Sequence, residues 1–324
     1  MNLSFFAKTD TGLRREQNQD AFAICGDLNT SEWATGPFLD DAETGSSVKQ
    51  GTKESDTPEN EARMVTELAP ASEPEPASGP ASASGPEPAS ASGPEPASGP
   101  EPAKGSVMIV ADGLGGPPAG EIASKLAVSS LKEHFNMLPQ IPPDEIQMES
   151  FLKNVIIKAH NSILEYQEFH PETDGMGTTA IVACVVDGII HLAWAGDSRC
   201  YIHTGKDDIL NPFTSDHSVV WEMVEAGKLT PEEAKEHPYG NIVTQSLGQN
   251  IASPNPSTAQ AVLKAGMRVL LCSDGLNNML DDHEIQEILD QDTSTQTTCE
   301  KLVASAKQAG GDDNITCVVM DVQK

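Results

Sequence analysis

The sequence predicts an α+β fold: a four-layer α-β-β-α sandwich with two antiparallel sheets face to face and helices outside. Two observations carry this. The elements come in blocks, with strands first, then a helix pair, more strands, and helices again. Several short apolar runs, VMIVA and VLLC among them, stop at Asp-Gly, which reads as a buried strand breaking into a turn.

In order, LSFFAKTD reads as a strand, Gly12 as a turn, and AFAIC (Ala21 to Cys25) as a second strand. Residues 27–70 are polar, acidic and without a sustained period, and residues 71–103 are low-complexity Ala/Ser/Gly/Pro/Glu. Such a tract cannot bury enough apolar area to offset its ordering entropy, so disorder is expected. Order resumes at Ser106 with SVMIV, which would form a plain hairpin with AFAIC if the tract were absent. Lengthening that connection from ~6 to ~78 residues costs only about 2 kcal/mol. The expectation is therefore one domain, residues 1–26 and 105–324, with residues 27–104 inserted between two strands.

Ala119 to Asn136 carries apolar residues at helical spacing, and Pro139, Pro142 and Pro143 end it. A second helix is expected from Asp144 to Glu168, with Ile146, Phe151, Val155, Ile156, Ala159, Ile163 and Tyr166 as its stripe. Strands follow over residues 178–188, 189–197 and 199–205, with Asp187-Gly188 as a hairpin turn. A short helix is expected over Ser215 to Leu229, then a helix start at Thr230-Pro231, a loop over 237–248, and a buried strand over 267–275. Helices over 281–290 and 295–309 and the strand in DDNITCVVMDV close the chain.

Length allows one large or two ordinary domains: 324 residues, 20 Lys plus Arg against 49 Asp plus Glu, net charge −29. So acidic a chain needs a local basic patch to bind nucleic acid or anionic membrane, and the longest basic run is Arg14-Arg15. None of the six cysteines, Cys25, Cys184, Cys200, Cys272, Cys299 and Cys317, forms a CxxC pair, and five lie in or beside apolar runs. They read as buried reduced thiols rather than zinc ligands or disulfides. No N-terminal apolar segment and no membrane-length run is present, so a cytoplasmic protein is expected.

Five aspartates recur in one context. Asp20 precedes AFAIC, Asp112 follows VMIVA, Asp197 follows HLAWAG, Asp274 follows VLLCS and Asp313 precedes NITCVV. Gathered around one point, they would repel unless cations lay among them or their pKa values rose. All-oxygen ligation suits Mg²⁺ or Mn²⁺. The Gly113 carbonyl, on backbone open to close approach, offers a further donor. Arg15 has the fork geometry that matches a phosphate dianion. Taken singly, each is equally an ordinary loop-end aspartate or a surface arginine.

RREQNQD, VADGLGG, MGTTAIVA, WAGDSRCY, DHSVVWEMVEAGKLTPEEA, LLCSDGLNNMLDDHEI and GGDDNITCVV stand in an order that resembles the PPM family. These are the metal-dependent type-2C Ser/Thr protein phosphatases, and the likeness is to the compact bacterial branch. It covers residues 1–25 and 105–322. The resemblance implies hydrolysis of phosphoserine and phosphothreonine in proteins through a metal-activated water, opposing a Ser/Thr protein kinase. It implies two Mn²⁺ or Mg²⁺ ions, with room for a third. Asp112 would bridge both, Gly113 and Asp20 would complete one shell, Asp274 and Asp313 the other, and Asp197 with Asp274 the third. Arg15 would bind the substrate phosphate beside Asp112, and Thr214 to Leu247 would be a flap, with Ser215 and Ser218 touching the third ion or the phosphate. The implied partners are phosphorylated proteins and a kinase, with a monomeric enzyme and neither nucleic acid nor membrane. Two positions depart from the pattern: Gln19 stands where many relatives have Glu, and Leu114 where some eukaryotic relatives have His. The insertion is not a family feature. The alternative reading is a catalytically inactive phosphatase-like binding module or scaffold.

Overall fold

A computed structural model of the chain describes residues 2–37, 60–65, 105–114, 119–138, 140–142, 144–249 and 253–323. In chain order the strands are β1 (Leu3–Asp10), β2 (Asp20–Cys25), β3 (Trp33–Gly36), β4 (Asn60–Val65), β5 (Gly105–Leu114), β6 (Gly177–Thr178), β7 (Ala180–Val186), β8 (Ile189–Ala195), β9 (Arg199–His203), β10 (Leu247–Gly248), β11 (Ser257–Val262), β12 (Arg268–Cys272) and β13 (Ile315–Val322). The helices are α1 (Gly120–Asn136), α2 (Glu145–Phe169), α3 (Val219–Glu225), α4 (Pro231–Lys235), α5 (Asp274–Asn277), α6 (Asp282–Leu289) and α7 (Thr295–Ala309).

One sheet runs β4-β1-β13-β12-β9, all antiparallel. The other sets β3, β2, β5, β7, β8 and β11 side by side, with β6 and β10 continuing from the end of β5. The strands are nearly continuous apolar runs because both faces are covered. Period-2 alternation divides them. Phe22, Ile24, Met108 and Val110 join Phe5, Val269, Leu271 and Val318 between the sheets. Ala23, Val107 and Ile109 face α1 and α2. Phe6, Leu270, Cys317 and Val319 face α5, α6 and α7. Three apolar layers between four structural layers give the expected sandwich. All six cysteines are buried and unbridged, and burial pushes the Cys184 thiol up to about 12.

Local signals set several boundaries. Asp187 and Gly188 both take positive φ (49° and 81°), as the β7–β8 hairpin turn requires. Thr230 and Glu233 form a capping box at the start of α4. Three expectations need correction. Only Val219–Glu225 of the segment Ser215 to Leu229 is helical, because Ser218 caps the helix and Gly227 turns at φ 67° just after it. Ile146, expected in the buried stripe of α2, is exposed. Part of residues 27–104, expected to be disordered, is a strand: Trp33–Gly36 returns along β2 as a hairpin, and the Trp33 indole donates to Asn136 Oδ1 at 2.8 Å. Farther on, Asn60–Val65 lies antiparallel to β1. The low-complexity tract 71–103, expected to be disordered, lies outside the described residues. So do Gly115 and Gly116.

Arg268 ties the helical layer to its sheet. Its side chain meets Asp321 through two nitrogens, at 2.5 and 2.9 Å, and donates to the carbonyls of Leu289, Gln291 and Thr293. Replacing one partner of a buried ion pair strands the other. Arg268→Ala is therefore expected to lower unfolding free energy by about 3 kcal/mol in urea titration; a loss under about 1 kcal/mol would show that the pair is idle.

Candidate metal centre

Strand register brings the five aspartates to one end of the sandwich. Asp20 opens β2 and lies directly across from Asp112 on β5. Cys272 ends β12 opposite Cys317 near the start of β13, so Asp274 and Asp313 leave neighbouring strands side by side. Asp197 sits in the turn between β8 and β9, and Arg199 is the partner of Cys272.

Each carboxylate has its own surroundings. Asp20 is fully buried; its Oδ2 accepts from Ser273 Oγ at 2.7 Å, and its Oδ1 has no partner among the described residues. Burial first, then the charges of Asp274 and Asp313, push Asp20 up to about 7, against the hydrogen bonds of Thr316 and Ser273. Burial and the charges of Asp20, Asp274 and Asp197 hold Asp112 well above the carboxylate range. Asp274 is raised by burial and Asp313, while a hydrogen bond with Asp112 and the charge of Arg15 pull it down. Asp197 is pushed up to about 8 by burial, then by Asp274 and Asp216. Asp313 Oδ2 takes a 2.6 Å hydrogen bond from Arg15, and its Oδ1 accepts from the Asn314 amide at 2.8 Å. Arg15 stands half-exposed on this rim and also feels Asp112 and Asp274.

The five therefore form one electrostatic unit. As they stand, no three His, Cys, Asp or Glu side chains among the described residues converge in ready metal-ligand geometry. Asp20 Oδ2 is engaged by the Ser273 hydroxyl and Asp313 Oδ2 by the Arg15 guanidinium.

The backbone beneath is tightly fixed. A Cβ on Gly113 would lie 2.3 Å from Gly120 O and 2.7 Å from Gln19 O, so only glycine fits. Asp112 N–H donates to Thr179 Oγ1 at 3.0 Å, and its carbonyl accepts from Thr178 Oγ1 and Thr179 N at 2.9 and 2.8 Å. Thr179 Oγ1 in turn pairs with Ser198 Oγ, next to Asp197, at 2.8 Å. Asn314 staples the loop that carries Arg15. Its Oδ1 accepts from Gln19 N at 2.8 Å, and its Nδ2 donates to the carbonyls of Thr11 and Gln17, both at 2.9 Å.

Sequence reasoning missed Thr178, Thr179, Ser198, Ser273 and Asn314, which hold the acidic residues in place. Their only signal was adjacency to an acidic turn. Ser218 Oγ accepts from the Trp221 amide as a helix cap, and the Ser215 carbonyl accepts from the Trp194 indole.

The model of the protein phosphatase 2C family matches residues 100–314. The chain is 38% identical over 224 residues to protein phosphatase PhpP of Streptococcus pneumoniae, covering 68% of this chain and 87% of that protein. It is 33% identical over 215 residues to serine/threonine phosphatase stp of Listeria innocua, covering 66% and 84%. Among solved structures, the S. agalactiae serine/threonine phosphatase superposes with a TM-score of 0.69 at 27% identity, covering 99% of this chain and 100% of that one.

Removing the Asn314 side chain takes the partner from three backbone groups, the buried Gln19 amide and the part-buried Thr11 and Gln17 carbonyls. Asn314→Ala is expected to cost about 2–3 kcal/mol and to speed amide exchange over residues 11–19 ahead of the rest of the chain. Uniform exchange would show that the staple does not govern that loop.

Proposed function

The chain belongs to the protein phosphatase 2C family, and we propose that its acidic cleft holds two divalent cations, Mn²⁺ or Mg²⁺, for the hydrolysis of phosphoserine and phosphothreonine. The protein is a serine/threonine protein phosphatase acting on phosphoproteins, and the family is metal-dependent. The observation that carries the assignment of residues is the buried, unpartnered Asp20 Oδ1 among carboxylates that raise one another's pKa values. A cation would relieve that repulsion, and an all-oxygen donor set suits a hard ion.

In this reading Asp112 would serve both ions, Asp20 and the Gly113 carbonyl would help hold one, Asp274 and Asp313 the other, and Asp197 with Asp274 would offer a third position. The bound ions would supply an acidified water and offset charge on the phosphoryl group. Arg15 would turn from Asp313 to the phosphate, a short reach for a half-exposed side chain. Leu114 has no proton to give. Gln19 hydrogen-bonds without charge, which weakens ion binding slightly relative to Glu. Residues 214–247 form the cover of the cleft: they leave after β9 beside Asp197 and return as β10, whose partner β6 pairs with Gly113. The physiological partners are a Ser/Thr kinase and its targets, met by a monomeric enzyme in the cytoplasm. Among the described residues no helix is long and apolar enough to cross a membrane.

We further propose that residues 1–26 and 105–324 are one catalytic domain and that the low-complexity part of the insertion is a spacer. Direct pairing of β2 with β5 supports this, since the sheet closes without the tract. Deleting residues 71–103 is expected to leave turnover of a small aryl phosphate within about twofold; a tenfold loss would assign the tract to the site.

The decisive assay is release of phosphate from a phosphothreonine peptide with Mn²⁺, repeated in EDTA. Chelation is expected to abolish turnover, and Asp112→Asn to lower kcat by about 10³-fold or more with the fold intact. Asp112→Asn at the wild-type rate would overturn the assignment.

A further inference from the structure

The base of the 214–247 cover is fastened to the turn that carries Asp197, and His217 takes part through both its backbone and its imidazole. His217 N–H donates to the Gly196 carbonyl at 3.0 Å, and Gly196 N–H donates back to His217 Nδ1 at 3.2 Å. A backbone amide can only donate, so Nδ1 carries a lone pair and the ring proton sits on Nε2. Nε2 donates to Ser257 Oγ, at the start of β11, at 2.9 Å. The ring lies flat on Trp194, with planes 12° apart and centroids at 6.0 Å, and the Trp194 indole donates to the Ser215 carbonyl at 2.8 Å. The His217 carbonyl accepts from Thr244 N at 2.7 Å, so the outgoing and returning limbs of the cover meet at this residue. Arg199 adds a second fastening by gripping both oxygens of Asp216, at 2.9 and 2.7 Å.

We propose that His217 is a positioning residue: its neutral imidazole locks the base of the cover to the Asp197 turn, so that the cover and that carboxylate are held as one unit. This rests on the reading of residues 214–247 as the cover of the acidic cleft.

The test is limited proteolysis of the full-length protein, with no cation and no phosphopeptide, scoring cleavage within residues 219–241. His217→Phe keeps a ring on Trp194 but has no acceptor. His217→Asn places an oxygen where Nδ1 was. The expected result is about tenfold faster cleavage of His217→Phe and near wild-type resistance for His217→Asn. Wild-type resistance in His217→Phe, or equal cleavage of both variants, would overturn the proposal. Should His217→Phe fail to fold, Ser257→Ala, which removes the oxygen that Nε2 meets, decides instead: faster cleavage supports the lock and wild-type resistance overturns it. Because the assay uses neither metal nor substrate, its failure is distinct from failure of the phosphatase assignment.

Discussion

Five carboxylates crowd one end of this sandwich, and crowding is what the surrounding structure manages. At an effective dielectric near 20, two unit charges 4 Å apart repel by about 4 kcal/mol. Ionised together and half out of water, these groups would push the strand ends apart. Burial first, and then the neighbouring carboxylates, raise the pKa values of Asp20, Asp112, Asp197 and Asp274. A cradle that keeps the acids together has to be rigid, and it is built from backbone and small hydroxyls rather than loose side chains.

The cradle has two halves. Thr178 and Thr179 grip the Asp112 main chain and, through Ser198, join it to the Asp197 turn. Ser273 and Asn314 grip Asp20 and the loop before it. Close backbone approaches complete both halves: a Cβ on Gly275 would fall 2.0 Å from Asn314 O, and one on Gly12 2.1 Å from Asp313 O. The sheets supply the register and these contacts fix the last ångström, which is where preorganised catalytic geometry is decided. His217 joins the segment after Thr214 to the Asp197 turn through Gly196.

Much of this was legible in the sequence. The buried strands announced themselves as short apolar runs, and Asp187-Gly188 and Thr230-Pro231 fixed their turn and cap because local chemistry alone decides those. The acidic turns were visible for the same reason, each beside one end of a core strand. What stayed hidden depends on tertiary partners. Asn314 reads like any loop asparagine until the loop at residues 11–19 folds over it. Trp33–Gly36 lacks a strand's length and pattern, and β2 recruits it. β11, with the mixed composition STAQAV, is a strand because β8 offers an edge. Ser215–Ser218 has helical neighbours in sequence, yet its backbone is spent on Gly196 and Trp194.

The central claim is that these oxygens are a cation cradle rather than a coincidence of strand ends. Its most direct test is the anomalous scattering of crystals grown with Mn²⁺. The account predicts two strong peaks within ligand distance of Asp112, one shared with Asp20 and one with Asp274 and Asp313. Peaks only elsewhere on this acidic surface, with the cleft empty at saturating Mn²⁺, would contradict it.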